Sequence, residues 1–213
     1  MKKLQASTEQ VDFMRQKIEA LSKKAGLTHV PELCISKSER LANVNPFQYR
    51  ISVGETILSL WREGKFSDAD VEATLAHEIG HLMDFRRDSR SKSFRNLLFE
   101  GLWCALCVVP LIIYLFWPSM TTLFITAAIA IGWGISLPWI IRRVEVGIEL
   151  EADRNAAVYL VEPKQLAGAL DKISSFGIPS RLPGFTAKLS FLAGTLTHPT
   201  FKERLSNLQT LCK

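Results

Sequence analysis

The sequence predicts a mainly α-helical chain with a small β-sheet, an α+β fold, interrupted by a pair of membrane-spanning helices. Three observations carry this. Apolar residues recur at helical spacing, as at Val11, Met14, Ile18 and Leu21 and again at Val71, Leu75, Ile79 and Leu82. Two short stretches, 33–36 and 49–53, read as strands. Residues 101–141 contain no Asp, Glu, Lys or Arg. That stretch of about 40 residues suffices for two membrane spans of roughly 20 each.

The elements follow in order. An amphipathic helix over 7–25 ends at Gly26. The stretch 49–53 is expected to be an edge strand near a cleft, where an extended peptide can pair with its backbone. A short helix over 56–63 leads into a longer one over 67–87. Ser67 suits its N-cap, with Asp70 as a capping-box carboxylate. Asp68, Asp70 and Glu72 place negative charge in the first turn, where the helix dipole favours it. Arg86 and Arg87 fall at the expected C-terminal end. Beyond the apolar stretch, 142–160 reads as a helix continuing from the second span. Residues 163–176 form a helix with Pro163 at its start, 179–185 a proline-rich loop, and 199–211 a final helix.

The apolar stretch divides at Trp117-Pro118-Ser119-Met120, a turn signal, into spans of 99–117 and 121–141. Pro110 and Pro138 lie inside these spans, which membrane helices tolerate. Trp103, Trp117, Trp133 and Trp139 include several at interface positions. Arg86, Arg87, Arg90, Lys92 and Arg95 precede the first span, and Arg142 and Arg143 follow the second, while the turn between is uncharged. The positive-inside rule puts both outer ends in the cytoplasm. The chain thus divides into an N-terminal half, 1–98, a hairpin, 99–141, and a C-terminal half, 142–213.

The chemistry concentrates in His77-Glu78-Ile79-Gly80-His81. Imidazoles four residues apart share one helix face and can reach one metal ion, with Glu78 beside the open position as general base. That is the H-E-x-x-H zinc hydrolase arrangement. A third ligand must come from elsewhere in the chain. Glu145, Glu149 and Asp153 line one stripe of the helix over 142–160, and spacing alone leaves Glu145 and Glu149 both open.

Together with Glu149-Leu150-Glu151-Ala152-Asp153-Arg154, the histidine motif resembles the M48 metallopeptidases, which include HtpX-like heat-shock proteases and CAAX-type prenyl-protein proteases. Their second motif is E-x-x-A-D, and the resemblance implies a gluzincin-type domain with Zn2+ held by His77, His81 and Glu149. It implies that Asp153 orients a ligating histidine from behind. Thr197-His198-Pro199-Thr200-Phe201-Lys202-Glu203-Arg204-Leu205 is similar to the family's T-H-P-P-x-x-x-R-[IL] segment, with Thr200 in place of the second Pro. This implies that His198 helps to stabilise an oxyanion and that Arg204 packs or ion-pairs close by. Asn45-Pro46-Phe47 sits where the family has N-A-F before a strand, with Pro in place of Ala.

The expectation is therefore an integral-membrane zinc metalloendopeptidase with its catalytic parts in the cytoplasm, acting on protein or peptide substrates in membrane-protein quality control. A CAAX-type prenyl-protein protease and a non-catalytic zinc-binding membrane sensor are the competing classes. The chain has 213 residues and a formal charge of +5. Its basic excess beside the spans points to lipid headgroups of the bilayer, not nucleic acid. The polar N-terminus argues against a cleavable signal peptide. Cys34, Cys104, Cys107 and Cys212 do not form a disulfide framework; the C-x-x-C pair falls inside the first span, where small apolar packing residues are expected.

Overall fold

The computed structural model describes residues 6–36, 41–85, 108, 112, 114–176 and 199–211, with backbone alone at 130 and 133–145. Helix α1, Thr8–Lys24, starts at a reciprocal capping box between Ser7 and Gln10 and stops before Gly26, which adopts φ +66°. Its apolar face buries Met14, Ile18 and Leu21. Three strands follow: β1, Glu32–Ser36; β2, Ala42–Asn45; and β3, Arg50–Gly54. The sheet order is β1-β3-β2, with β1 parallel and β2 antiparallel to β3. Ile51 and Val53, two residues apart, drive one face of β3 into the core.

The expectation that 49–53 forms an edge strand is corrected here. β3 is the central strand, hydrogen-bonded on both sides. Its edge neighbour β2 has the sequence Ala-Asn-Val-Asn, whose two asparagines obscure its strand character. Tyr49 lies in the preceding turn at φ +53°, a left-handed conformation unsuited to a strand.

Helix α2, Glu55–Arg62, follows β3 directly. A turn through Gly64, at φ +71°, leads to α3 over 68–85. Helix α4, Met120–Asn155, is a continuous 36-residue element that passes into a π-helical turn, Ala156–Leu160. It is capped by Ser119 at the expected turn. Helix α5, Pro163–Ser175, has Pro163 in its first turn, and α6, Phe201–Leu211, closes the described chain. One core unites these parts: Met14, Ile18, Ile51, Val53, Ile57, Leu58, Phe66, Leu75, Ile79, Leu166 and Leu208 are all buried within it.

The first expected span, 99–117, falls mostly outside the described residues. Among the described residues, no helix is long and apolar enough to cross a membrane. Leu115, Phe116, Trp117, Met120, Phe124 and Ile131 are nonetheless each 64% or more exposed. Cys34 is a free thiol, whereas Cys104, Cys107 and Cys212 lie outside the described residues.

Candidate metal centre

Helix α3 is fixed at its start. The Ser67 backbone N–H and hydroxyl both donate to Asp70 Oδ2, at 2.8 and 2.6 Å, and the Asp70 N–H donates back to Ser67 Oγ at 3.3 Å. Lys172 of α5 binds the same carboxylate oxygen at 2.5 Å. Burial alone would raise the Asp70 carboxyl, but its hydrogen bonds from Lys172 and Ser67 outweigh that and hold it below its ordinary value. Further along, Val71, Leu75, Ile79 and Leu82 are all buried, which sets the rotation of the helix. That rotation leaves His77 and His81 facing α4.

Glu149 projects from α4 to meet them. His77 Nε2 and His81 Nε2 lie 3.2 Å apart with their rings nearly perpendicular, at 78°. Glu149 Oε2 is 3.5 Å from His77 Nε2, and its Oε1 is 3.7 Å from His81 Nε2. Tetrahedral zinc, with bonds of about 2.0–2.1 Å, sets its donor atoms roughly 3.3–3.4 Å apart. Two imidazole nitrogens and a carboxylate, with one ligand atom of each residue within 4.8 Å of the others, are the donor types such an ion takes and lie close enough to close on it. Among the described residues this is the one cluster of His, Cys, Asp and Glu that brings three metal-ligand atoms together. The side chain of Glu145, the rival on spacing, lies outside the described residues.

Behind His77 stands a buried ion pair. Asp153, fully buried one turn after Glu149, lies 2.9 Å from His77 Nδ1 through its Oδ1. Arg204 of α6 grips the same carboxylate with both arms, Nε to Oδ2 at 2.7 Å and Nη2 to Oδ1 at 2.6 Å. The Asp153 contact selects the tautomer of His77 that carries its proton on Nδ1, leaving the Nε2 lone pair directed at His81 and Glu149. Arg204 Nη2 also sits 3.1 Å from His77 Nδ1. With that nitrogen already donating to Asp153, this is close packing rather than a hydrogen bond.

The electrostatics follow from these contacts. Burial and the Arg204 charge push His77 down, but its bonds to Asp153 and Glu149 prevail and raise it to about 9. Burial and neighbouring His77 push His81 down to about 4. Burial would raise Glu149, yet its bond to His77 and the charges of His77, Arg204 and His81 hold it well below the usual carboxylate range. Asp153 is likewise held low against burial by Arg204 and His77, and Arg204 is raised against burial by Asp153. Without an ion, a proton on His77 balances Glu149; a cation that binds here displaces it.

Three residues that sequence reasoning left without a role, Gly80, Ala152 and Asn155, hold the helices in register. A Cβ on Gly80 would collide with the carbonyl oxygen of Ala152, so the motif's glycine permits α3 and α4 to touch backbone to backbone. Ala152, the alanine of the second motif, is fully buried at this crossing. Buried Asn155 then donates from Nδ2 to the Gly80 carbonyl at 3.3 Å. A glycine in mid-helix costs about 1 kcal/mol relative to alanine, and that cost was the available signal.

The remaining site residues are placed as follows. Glu78 is buried on α3, between the two histidines in sequence. His198 lies outside the described residues. Thr200, where the resembling segment has proline, caps α6: its N–H donates to Glu203 Oε2 at 2.7 Å, and Glu203 N–H donates to Thr200 Oγ1 at 3.2 Å. This box starts the helix that delivers Arg204. Asn45 Oδ1 accepts the N–H groups of Phe47 and Gln48 at 3.1 and 3.0 Å, so its side chain serves the β2–β3 turn.

Comparison with known families finds a match to the model described as Peptidase family M48, over residues 9–212. No curated protein matches the chain.

Proposed function

The chain belongs to peptidase family M48 and is by that membership a metallopeptidase; on that premise we propose that it is a zinc-dependent endopeptidase anchored in a membrane. The observation that carries the reading is the convergence of His77 and His81 with Glu149, which lies some 70 residues further along the sequence, on one point, with Glu78 next to His77 in the chain. When bound, zinc supplies a Lewis acid that acidifies water and polarises a carbonyl.

The chain's own residues do the rest. His77, held in one tautomer by Asp153, offers Nε2, and His81, neutral near pH 7, offers the second imidazole. Glu149 stays ionised and adds the negative donor. Glu78 accepts the proton of the attacking water and passes it to the leaving amine. Arg204 compensates the charge of Asp153 and lies 3.7 Å from Glu149, limiting the repulsion between those two carboxylates. The resemblance assigns to His198 a donor role toward the developing oxyanion.

Membrane anchoring rests on residues 101–141, which lack any Asp, Glu, Lys or Arg, and on the exposure of Leu115, Phe116, Trp117, Met120 and Phe124. Apolar surface of this kind is costly in water and favourable in lipid. Residues 99–141 then form a hairpin between halves 1–98 and 142–213, with both halves cytoplasmic by the flanking arginines. Glu149 follows Ile141 by about 12 Å of helix, which sets the centre near the bilayer surface. Substrates are cytosolic loops or unfolded segments of membrane proteins, as quality control requires.

The test is cleavage of an unfolded casein-type substrate by full-length protein in detergent, with metal content measured in parallel. Glu78→Gln is expected to keep its zinc and lose activity by at least about 100-fold, the usual scale for general-base loss. Normal cleavage by Glu78→Gln contradicts the mechanism. Zinc binding without hydrolysis by the wild type favours a sensor instead.

A further inference from the structure

An aromatic pair at the end of α3 takes no part in metal binding. Phe85 follows His81 by four residues and His77 by eight, so it extends the stripe from which both imidazoles project. Helical side chains lean toward the N-terminus, which carries the Phe85 ring over the turn that holds His81. Phe47, from the β2–β3 turn, meets it edge to face with centroids 5.5 Å apart and ring planes at 76°. Phe47 is 88% and Phe85 40% exposed. Neither ring is explained by core packing.

Phe47 is held in place. Pro46 fixes its own φ, Asn45 Oδ1 accepts the Phe47 and Gln48 N–H groups, and Tyr49 completes the turn at φ +53°. The aromatic contact also ties the end of β2 to the metal-bearing face of α3. β2 is an edge strand whose outer side has no strand partner among the described residues. A peptide that pairs with that edge sends alternate side chains to opposite faces. The two rings lie at the end of that edge, one helical turn past His81.

We infer that Phe47 and Phe85 form an apolar subsite that receives a large hydrophobic side chain of the peptide close to the scissile bond. The inference rests on the peptidase reading and adds the substrate class: apolar segments, such as membrane proteins expose when unfolded, over charged ones. An incoming aromatic ring extends the edge-to-face cluster, and an aliphatic side chain buries its surface against both faces.

The test uses full-length, zinc-loaded protein in detergent and quenched-fluorescence peptides that differ only by Ala, Leu, Phe or Glu at each position flanking the cleaved bond. At one position the wild type is expected to prefer Phe and Leu over Ala by roughly tenfold in kcat/KM, mainly through KM. Phe47→Ser and Phe85→Ser bring that ratio toward one, while Phe85→Leu preserves the preference for Leu. Because Phe47 is exposed, Phe47→Ser retains the fold, and an unshifted thermal midpoint verifies this. A flat wild-type profile overturns the inference. So does a preference that survives both serine variants, including the case in which those variants lose only affinity for lipid vesicles. Absence of cleavage of every peptide by the wild type overturns the peptidase reading together with the subsite.

Discussion

Replacing Asp153 by Asn probes the support behind the metal centre with almost no change of shape. In the native arrangement Oδ1 takes His77 Nδ1 at 2.9 Å and Arg204 Nη2 at 2.6 Å, while Oδ2 takes Arg204 Nε at 2.7 Å. An asparagine that keeps its oxygen toward His77 must turn its NH2 toward Arg204 Nε, setting two donors face to face. It loses one charge-assisted hydrogen bond, about 1.5–3 kcal/mol. It also leaves a buried guanidinium short of its counter-charge, a change that costs about 3–5 kcal/mol when a buried pair is broken. Taking about 3 kcal/mol for the neutral but isosteric amide, the thermal midpoint falls by roughly 6–12 °C for a domain of this size. Without the carboxylate, His77 is a poorer ligand, and zinc affinity drops about 10–100-fold. Differential scanning of the metal-free protein in detergent measures the first quantity and chelator competition the second. A variant within 1 °C of wild type and with undiminished zinc affinity refutes the role given to Asp153.

Two further predictions concern the frame around the centre. Gly80→Ala places a methyl against the Ala152 carbonyl and forces α4 away from α3. The overpacking costs about 1–3 kcal/mol, and zinc affinity falls at least about tenfold while circular dichroism reports unchanged helix content; full affinity means the helices are not in contact at this crossing. Asp70 concerns acid stability. Its folded-state pKa is depressed, so its contribution is fully present above the unfolded value of about 3.9 and fades as pH falls through the lower folded value. A series of thermal midpoints from neutral pH down to about pH 2 is expected to show a steeper acid decline in wild type than in Asp70→Asn, and parallel curves contradict the linkage.

The catalytic helix was legible in the sequence because local signals agreed there. Ser67 and Asp70 announced its start, and Val71, Leu75, Ile79 and Leu82 announced its buried face, which left the two histidines turned toward α4. Strand order was not legible. The alternation in β3 reports that one face is buried, yet nothing local reports how many neighbours pair with it. The β2 strand escaped notice because Asn43 and Asn45 are weak strand formers. In the site, spacing reduced the third ligand to Glu145 or Glu149, and only the tertiary approach of α4 brings Glu149 to the imidazoles. The Gly80–Ala152 crossing and the Asn155 bond are long-range contacts with no sequence period, so motif reading passes over them. Thr200 shows the reverse: a departure from the resembling segment proves to be a helix cap with a partner three residues on.

The central claim is that one divalent ion is held by His77, His81 and Glu149. Metal content of the purified full-length protein, measured by mass spectrometry after dialysis, tests it most directly. The expected result is one zinc per chain in wild type and in Glu145→Ala, and less than about a tenth as much in Glu149→Ala, since a single ligand loss removes a third of the protein donor set. Retention of a full equivalent by Glu149→Ala, or its loss from Glu145→Ala alone, contradicts the assignment.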